Sequence, residues 1–549
     1  MKAAAVLLIT ALGLCAQQPP AEPGFIAGRV LNATNHEPVR RARLMLRRSD
    51  NPAGGSEMPA TYTAATDDHG RFAMKGIEPG KYNFSVQHAG FADTWYGARR
   101  PGREGATLSL DAGQQLTDVI FRMTPQAVIA GRILDADGDP VQGVQLVTVR
   151  YQYLMGKRQL VPAGHASTDD LGEYRLFGLA PGRYYLQAIR RDAPALMMAT
   201  RVAAKTAGES YVATYYPGVT DPGNATLLEL EPGTQLRGMD FTLSKARSVT
   251  VRGHLNFPAG VSHQFAMMML MPRNRTVWLG MRRRLVDANG SFELTGVTPG
   301  SYNLSTSLRD GAKTYFAYQH LEVESGNIDG LTLNLSAGAE LAGQLRFEGR
   351  TPASLTGISV DLEEFEGDDF RIGPRPYCEV KEDGSFTLES IAGEQYRARV
   401  HGLPAGYYLK SARLGDDEVK ESGIDAAHEI SGPLILTVSS RAGQIEGVVL
   451  NARQQPVSGV AVVLVPEPKK RERFEKFKHV TTDQYGRYTV KSIEPGEYQL
   501  FAWEDMEPGE YMDPEFLKPV EARGKAISIH EDSREIADLQ LIPAKPPAK

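Results

Sequence analysis

The sequence predicts an all-β chain: a tandem array of about five Greek-key β-sandwiches, prealbumin-like or immunoglobulin-like, that follow a signal peptide. Two observations predict it. Short runs of alternating apolar and polar residues are separated by turn residues throughout the chain, as in sandwich domains. One unit also recurs at the length of a whole domain rather than of a solenoid rung. The 549 residues leave room for several domains of ordinary size.

A short apolar strand with a central glycine opens each unit. The five glycines are Gly28, Gly131, Gly253, Gly343 and Gly447. Each unit closes with another alternating strand, such as Val119–Met123 in the first copy. Alternation with a period of two places every second side chain on one face of a strand.

In the middle of each unit a polar turn ends in glycine and leads into an aromatic residue. These turn glycines are Gly70, Gly172, Gly290, Gly384 and Gly486, and twelve residues after each stands a tyrosine: Tyr82, Tyr184, Tyr302, Tyr396 and Tyr498. An acid before the glycine predicts a turn in which the carboxylate bonds the local backbone and the glycine takes a positive φ. A Pro-Gly pair precedes the tyrosine in every copy except the fourth. We expect a β-hairpin around that pair, with the tyrosine ring in the core and its hydroxyl bonded at the rim.

The repeat predicts the domain boundaries and the shape of the chain. We name the units sandwich 1 (24–124), sandwich 2 (125–245), sandwich 3 (246–337), sandwich 4 (338–440) and sandwich 5 (441–543), with a signal peptide at 1–16 and a tail at 544–549. The linkers are short and contain no Gly/Ser runs. Such linkers favour a semi-rigid, elongated string of domains.

The first residues predict export. Lys2 is followed by an apolar run from Ala3 to Leu14 and then by small and polar residues, as in a secretory signal peptide, and we favour cleavage after Ala16. The alternative is a lipoprotein acylated at Cys15, although Leu14 stands where such signals place a small residue. No later apolar run has the length of a membrane-spanning helix. We therefore expect an exported chain that is periplasmic, on the outer surface or secreted.

Composition argues against several partners. The net charge of −5 creates no strong field for nucleic acid or a membrane surface. Once the signal peptide is removed, Cys378 is the one remaining cysteine, so no disulfide can form within a chain. We expect Cys378 to be a small packed residue rather than a nucleophile.

These motifs together resemble the carboxypeptidase regulatory-like domain, a transthyretin-like sandwich of the carbohydrate-binding-like and Cna B-type group. The resemblance lies in the opening glycine strand, the Asp-x-x-Gly turn, the Pro-Gly-x-Tyr step and three Pro-Val pairs: Pro38-Val39, Pro140-Val141 and Pro456-Val457. Units three and four depart in their first half, where Pro258 and Pro352 are not followed by Val. The resemblance implies the fold, but sandwiches of this kind serve many functions.

Catalytic signatures are absent from the sequence. It contains no Gly-x-Ser-x-Gly elbow, His-Glu-x-x-His motif, phosphate-binding loop or Cys-x-x-Cys pair. Acids alternate in the fragment Asp135–Asp139, but Leu146 stands where a calcium loop would end in Glu, so the fragment favours a turn. We predict a protein that is not an enzyme and has no metal or cofactor.

Aromatic pairs outside the repeated positions are the candidate binding residues. They are Trp95 with Tyr96, Tyr215 with Tyr216, and Tyr407 with Tyr408. Exposed rings can stack on the C–H face of a sugar, and Arg99-Arg100 lie beside the first pair. The same rings could instead cap sandwich edges or fill domain junctions. The sequence thus predicts a non-catalytic binding protein for a glycan, or alternatively a structural or adhesive scaffold that contacts other proteins at the cell envelope.

Overall fold

The computed structural model describes residues 22–49, 59–154, 156–190, 209–261, 266–273, 281–311, 313–364, 375–391, 395–426 and 430–544. The signal peptide predicted at 1–16, with Cys15, lies outside these residues. Inside them, no helix combines the length and the apolar character required to cross a bilayer.

Sandwiches 1 and 2 show the predicted all-β character. The strands of sandwich 1 are β1 (Gly24–Asn32), β2 (Arg43–Arg48), β3 (Thr61–Ala65), β4 (Arg71–Ile77), β5 (Gly80–Gln87), β6 (Thr94–Trp95), β7 (Leu108–Leu110) and β8 (Gln115–Met123). Those of sandwich 2 are β9 (Ala127–Leu134), β10 (Val144–Leu154), β11 (Lys157–Ser167), β12 (Glu173–Leu179), β13 (Gly182–Arg190), β14 (Glu209–Tyr211), β15 (Thr214–Tyr215), β16 (Leu228–Leu230), β17 (Gln235–Leu236), β18 (Phe241–Thr242) and β19 (Lys245–Arg247). A 3-10 turn at Pro222–Asn224 precedes β16.

Sandwiches 3 and 4 continue the pattern. The strands of sandwich 3 are β20 (Val249–Asn256), β21 (Met267–Pro272), β22 (Arg282–Leu285), β23 (Ser291–Val297), β24 (Gly300–Asp310), β25 (Lys313–Val323) and β26 (Ile328–Asn334). Those of sandwich 4 are β27 (Ala339–Glu348), β28 (Ser359–Glu364), β29 (Tyr377–Glu379), β30 (Ser385–Ile391), β31 (Gln395–His401), β32 (Tyr408–Leu414), β33 (Asp417–Glu418), β34 (Ile424–Asp425) and β35 (Leu434–Ser439).

Sandwich 5 combines strands with short helical turns. Its strands are β36 (Gly443–Leu450), β37 (Ala461–Pro466), β38 (Lys478–Thr481), β39 (Arg487–Ile493), β40 (Gly496–Trp503), β41 (Lys525–Ile529), β42 (Arg534–Ile536) and β43 (Leu539–Gln540). Helix α1 (Pro514–Leu517) lies between β40 and β41, and 3-10 turns occur at Pro468–Lys470, Phe474–Lys476, Glu510–Met512 and Lys518–Arg523.

Each unit places its opening strand in the middle of one sheet. In sandwich 1 the order is β4-β1-β8, with β1 antiparallel to β4 and parallel to the closing strand β8. The second sheet contains β3-β2-β5, with β6 and β7 also paired to β5. The other four units repeat this antiparallel and parallel pairing of their opening strands, β9, β20, β27 and β36. The predicted all-β, multi-sandwich fold is confirmed; the exact domain boundaries stay a prediction.

Each opening glycine lies directly against a backbone carbonyl of the segment that closes its sandwich. A Cβ on Gly28 would stand 1.8 Å from the carbonyl oxygen of Val119, and one on Gly447 would stand 2.0 Å from that of Ala537. The corresponding distances are 2.3 Å at Gly131, 2.6 Å at Gly253 and 2.7 Å at Gly343. No other residue fits there without moving the closing strand, which explains why a glycine marks the start of each unit.

The predicted hairpin around the Pro-Gly pair is wrong. Strand β4 pairs with β1 in one sheet, whereas β5 pairs with β2 in the other. The Pro-Gly step therefore carries the chain across the sandwich, and the same crossing occurs from β12 to β13 and from β39 to β40. An arch and a hairpin both point alternate side chains into the core, so alternation cannot distinguish them.

The five tyrosines after this crossing are core residues, as predicted. Their exposures are 0% for Tyr82, 1% for Tyr184, 6% for Tyr302, 1% for Tyr396 and 6% for Tyr498. The hydroxyl of Tyr82 donates to the carbonyl of Glu78 at 2.6 Å, four residues upstream. Tyr184, Tyr302 and Tyr498 donate in the same way to Ala180, Thr298 and Glu494. This is the geometry of a tyrosine corner, which fixes the chain where it changes sheets.

The elongated string predicted from the linkers is also wrong. Sandwich 5 contacts sandwich 1 through a bridge between Thr107 and Asp483, and it contacts sandwich 4 through Lys410 and Glu531. The tip of the β10–β11 hairpin of sandwich 2 meets the segment that contains Gly509 and Met512. The last sandwich therefore lies against the first, and the array closes on itself.

Candidate functional site

The first aromatic pair lies beside the junction between sandwiches 1 and 5. Trp95 and Tyr96 are both half-buried. The ring of Tyr96 meets Phe121 of the core edge-on at 6.3 Å between centroids. Burial, together with the nearby Tyr485 of sandwich 5, raises the pKa of Tyr96 above its ordinary value. The pair therefore offers part of its surface to solvent and part to the core.

The second pair belongs to sandwich 2. Tyr215 is 1% exposed and packs on the outer face of the sheet with Val147, Val149 and Leu160. Its hydroxyl is buried without a hydrogen-bond partner among the described residues. Tyr216 is half-buried and meets Phe241 edge-on at 5.8 Å. The ring of Tyr215 thus has no free face for a sugar.

The third pair belongs to sandwich 4, and both rings are buried. Tyr407 is 9% exposed and donates to the carbonyl of Arg350 at 2.9 Å. Tyr408 is 8% exposed and donates to Glu531 of sandwich 5 at 3.1 Å. Burial, and the hydrogen bond to that carboxylate, raise the pKa of Tyr408 to about 12. The structure therefore does not bring the six candidate residues together, and ligand binding at them stays a prediction.

A glutamine of sandwich 5 acts as a strand partner for sandwich 1. The amide of Gln484 accepts from the backbone N–H of Ser109 at 2.9 Å and donates to the carbonyl of the same residue at 2.6 Å. The neighbouring Asp483 holds the Asp-x-x-Gly turn with one carboxylate oxygen, which accepts from the backbone N–H groups of Tyr485 and Arg487. Its other oxygen faces the Ser109 hydroxyl at 3.3 Å. The repeated turn of sandwich 5 is thus also a docking element.

Three arginines and a short acidic segment form the rest of this junction. Arg99 pairs with Glu504 at 2.7 Å, Arg100 with Asp505 at 2.7 Å, and Arg103 with Glu507. We call these three ion pairs the charged latch. Arg99 and Arg100, noted in the sequence as neighbours of Trp95, thus bind carboxylates of the same chain.

Buried charges join sandwiches 4 and 5. Lys420, Arg473 and Lys476 are 8%, 7% and 6% exposed. Lys420 pairs with Glu494 at 2.8 Å, and both Arg473 and Lys476 pair with Glu421. Although burial raises the pKa of Glu421, the two cations hold it below its ordinary value. Breaking one partner of such a buried network is costly because it leaves the other charge without compensation.

Two segments of sandwich 5 pack on one face of its own sheet and contact the neighbouring sandwiches. Trp503 stacks on Phe501 at 4.9 Å, on the sheet face opposite the main core. The chain segments 467–477 and 504–523 cover this face and supply further residues that contact sandwiches 4, 1 and 2. The length of the segment between β40 and β41 gave no sequence signal for this role, because the segment between the equivalent strands β13 and β16 of sandwich 2 is longer.

The remaining reactive groups have structural partners. The Cys378 sulfur lies 3.9 Å from the carbonyl of Val360, and burial raises its pKa to about 11. The Asp135 carboxylate accepts from the N–H groups of Asp137 and Asp139, which is the turn chemistry expected there. Among the described residues, no three His, Cys, Asp or Glu side chains group in a way that could hold a metal ion.

Comparisons with known proteins found distant structural likenesses. The minor pilin GBS52 of Streptococcus agalactiae is 13% identical over 41% of this chain and 96% of its own, with a TM-score of 0.23. A streptococcal ancillary pilin is 12% identical over 57% and 99%, with a TM-score of 0.19. The major pilin subunit BcpA of Bacillus cereus is 10% identical over 58% and 100%, with a TM-score of 0.14. At such TM-scores the likeness says nothing about function.

No curated protein matches the sequence. One unit of the array does match a family model. Residues 26–124 match the model of the carboxypeptidase regulatory-like domain, which confirms for sandwich 1 the resemblance seen in its glycine strand, Pro-Val pair and Pro-Gly-x-Tyr step.

Proposed function

We propose that the chain is an exported, non-catalytic scaffold that presents a closed arrangement of β-sandwiches to other proteins at the cell envelope. The observation that supports this most is the set of contacts made by sandwich 5. It docks on sandwich 1 through Gln484 and the charged latch, and on sandwich 4 through buried ion pairs. Contacts of this kind fix the relative positions of the domains, which a scaffold requires and a string of independent sugar-binding modules does not.

The fate of the aromatic rings favours the same proposal. Tyr407 and Tyr408 lie in a core and a junction, and Tyr215 is covered. Rings that pack inside a protein strengthen its architecture but cannot stack on a sugar. Of the six candidate residues, Trp95, Tyr96 and Tyr216 are the ones that keep partial access to solvent.

The test compares the closed protein with an opened one. The immobilised full chain and the double variant Gln484→Ala/Arg103→Ala are incubated with a solubilised cell-envelope fraction and, separately, with a panel of glycans. We expect a protein partner that binds the closed chain in a fixed ratio and binds the opened variant more weakly. Equal retention by both forms, or retention of a polysaccharide through Trp95 and Tyr96 without a protein partner, would contradict the scaffold.

Carbohydrate binding is the second candidate function. A polar groove in sandwich 1, lined by none of the six aromatic candidates, is the observation that favours it.

A further inference from the structure

A groove of about 410 Å³ opens at one end of sandwich 1. Its walls include two arginines and two carboxylates, together with a histidine and an aromatic ring: Arg40, Arg41, Glu37, Asp68, His88 and Phe91. This volume lies within the range of about 300–1,000 Å³ that is usual for small-ligand sites. The groove lies in the unit that matches a family model, and none of the junctions described above uses its residues.

The backbone of Arg41 has an unusual conformation, with φ at +55°. The same turn occurs in sandwiches 2 and 5, where the corresponding residues are Gly143 at +73° and Gly459 at +63°. Glycine adopts this region at no steric cost, whereas an arginine there is strained by roughly 1–2 kcal/mol. Sandwich 1 therefore keeps a strained arginine where its two sister domains keep glycine.

The three turns are otherwise built from the same hydrogen bonds. Thr66 accepts from the N–H of Ala42 at 2.8 Å and donates to the carbonyl of Val39 at 2.7 Å. Thr168 and Thr482 make the same pair of bonds in sandwiches 2 and 5. The fold thus needs the turn but not the arginine. Gln454 of sandwich 5 has a similar φ in a turn where sandwich 2 has Gly138, so a positive φ alone does not mark a functional position. Arg41 differs from Gln454 because it also lines the groove.

The chemistry of the groove selects a class of ligand. The guanidinium groups of Arg40 and Arg41 make no hydrogen bond or ion pair within the part of the chain that the structure describes. A guanidinium is suited to bind a carboxylate through two parallel hydrogen bonds. The Glu37 carboxylate of the same wall already accepts from the side-chain amide of Asn35 at 2.8 Å. The Phe91 ring, held edge-on to His88 at 5.5 Å between centroids, supplies an apolar face. The carboxylate of Asp68 supplies an acceptor for hydroxyl groups.

We propose that this groove binds a saccharide residue that carries a carboxylate, such as a uronic acid unit of a polysaccharide. The carboxylate lies against Arg40 and Arg41, the sugar hydroxyls donate to Asp68, and the C–H face of the ring packs on Phe91. A neutral sugar lacks the group that the two arginines recognise. The site stands independently of the scaffold role, since it involves none of the contacts that close the array.

The experiment is isothermal titration calorimetry of the full chain with tri-galacturonate, and with galactotriose as the neutral counterpart. We expect binding of the acidic trisaccharide and none of the neutral one. Arg41→Gly and Arg40→Ala should each weaken binding by roughly ten- to a hundredfold, as loss of a hydrogen bond to a charged group predicts. Because glycine suits the turn, Arg41→Gly should leave the Tm at or above that of the unaltered protein.

The matched control is Gln454→Gly in sandwich 5, which relieves a similar φ of +58° at a residue that does not line the groove. It should leave tri-galacturonate binding unchanged. Equal binding of galactotriose, binding of the peptide tri-alanine in place of the acidic sugar, or full binding by both arginine variants would overturn the proposal. A fall in Tm for Arg41→Gly would also count against it, since the fold would then need the arginine.

Discussion

Gln484 of sandwich 5 makes two hydrogen bonds to Ser109 of sandwich 1, one to its N–H and one to its carbonyl. Ser109 is the central residue of β7, a strand at the edge of its sheet. The amide side chain therefore fills the place that another strand would take. Such capping protects an edge that could otherwise pair with a foreign strand.

Replacing Gln484 by Ala should loosen the junction between sandwiches 1 and 5. Two hydrogen bonds are lost and two backbone groups are left to water, at a cost of about 1–3 kcal/mol. Small-angle X-ray scattering should show a larger radius of gyration for Gln484→Ala. The matched control Gln142→Ala removes an exposed glutamine of sandwich 2 and should leave the radius unchanged. An unaltered radius in both variants would show that this bond does not keep the array closed.

The charged latch makes closure sensitive to salt. Exposed ion pairs are each worth about 0.2–1 kcal/mol, and salt screens them. Arg100→Glu places like charges opposite Asp505 and should shift the array towards an open form, as measured by cross-linking between sandwiches 1 and 5. The double variant Arg100→Glu/Asp505→Arg restores opposite charges and should recover the cross-link. A double variant as open as the single one would argue that another property of Arg100 matters.

His479 should make the same junction sensitive to acid. It lies 3.4 Å from Glu104 of sandwich 1 and stacks on Tyr511 at 5.8 Å between centroids. Burial lowers its pKa below the ordinary 6.5, and the nearby Glu104 opposes this without reversing it. The closed form thus holds the neutral ring, and opening allows it to take up a proton. Its contribution to closure is fully present above pH 6.5 and is lost as the pH falls below that value.

Scattering between pH 7.5 and 5.5 checks this prediction. The radius of gyration should rise towards the acidic end for the unaltered chain, and His479→Gln should flatten the dependence in this window. Carboxylates titrate at lower pH. A dependence that persists unchanged in His479→Gln would assign the acid sensitivity to another group.

An added methyl group at an opening glycine should destabilise its sandwich. In Gly447→Ala the Cβ would stand 2.0 Å from the carbonyl oxygen of Ala537, and the closing strand would have to move. We expect a loss of roughly 1–3 kcal/mol or more in the free energy of unfolding, measured by denaturant titration. Gly326→Ala is the control, since its Cβ would meet nothing within 4 Å. Equal stability of the two variants would contradict the steric role of Gly447.

The sequence predicted the structure correctly where a local steric or hydrogen-bonding requirement is met by one residue type. Gly28 fits under a carbonyl, Asp67 bonds the N–H groups of its own turn, and Tyr82 fills the core, and each requirement repeats along the chain. Periodicity could not show that β4 and β5 lie in different sheets. The junctions were beyond reach because Arg99 and Glu504 are far apart in sequence and neither belongs to a repeated pattern.

The candidate site residues also show that local features can be predicted from sequence and contacts between domains cannot. Aromatic pairs such as Tyr407 and Tyr408 look alike in sequence whether they face solvent or a neighbouring domain. Their environment depends on how sandwich 5 docks, which no local pattern encodes. Arg41, by contrast, differs from Gly143 and Gly459 within one repeated turn, but the sequence does not show that its φ is positive.

Closure also has a consequence for the order in which the protein folds. The bond between Arg99 and Glu504 joins residues 405 positions apart, so it is the kind of contact that forms slowly from a disordered chain. Folded intervening domains shorten that search, because they replace a long flexible segment by a few compact bodies. We therefore expect the individual cores to consolidate first and the ends of the array to meet in a distinct late step.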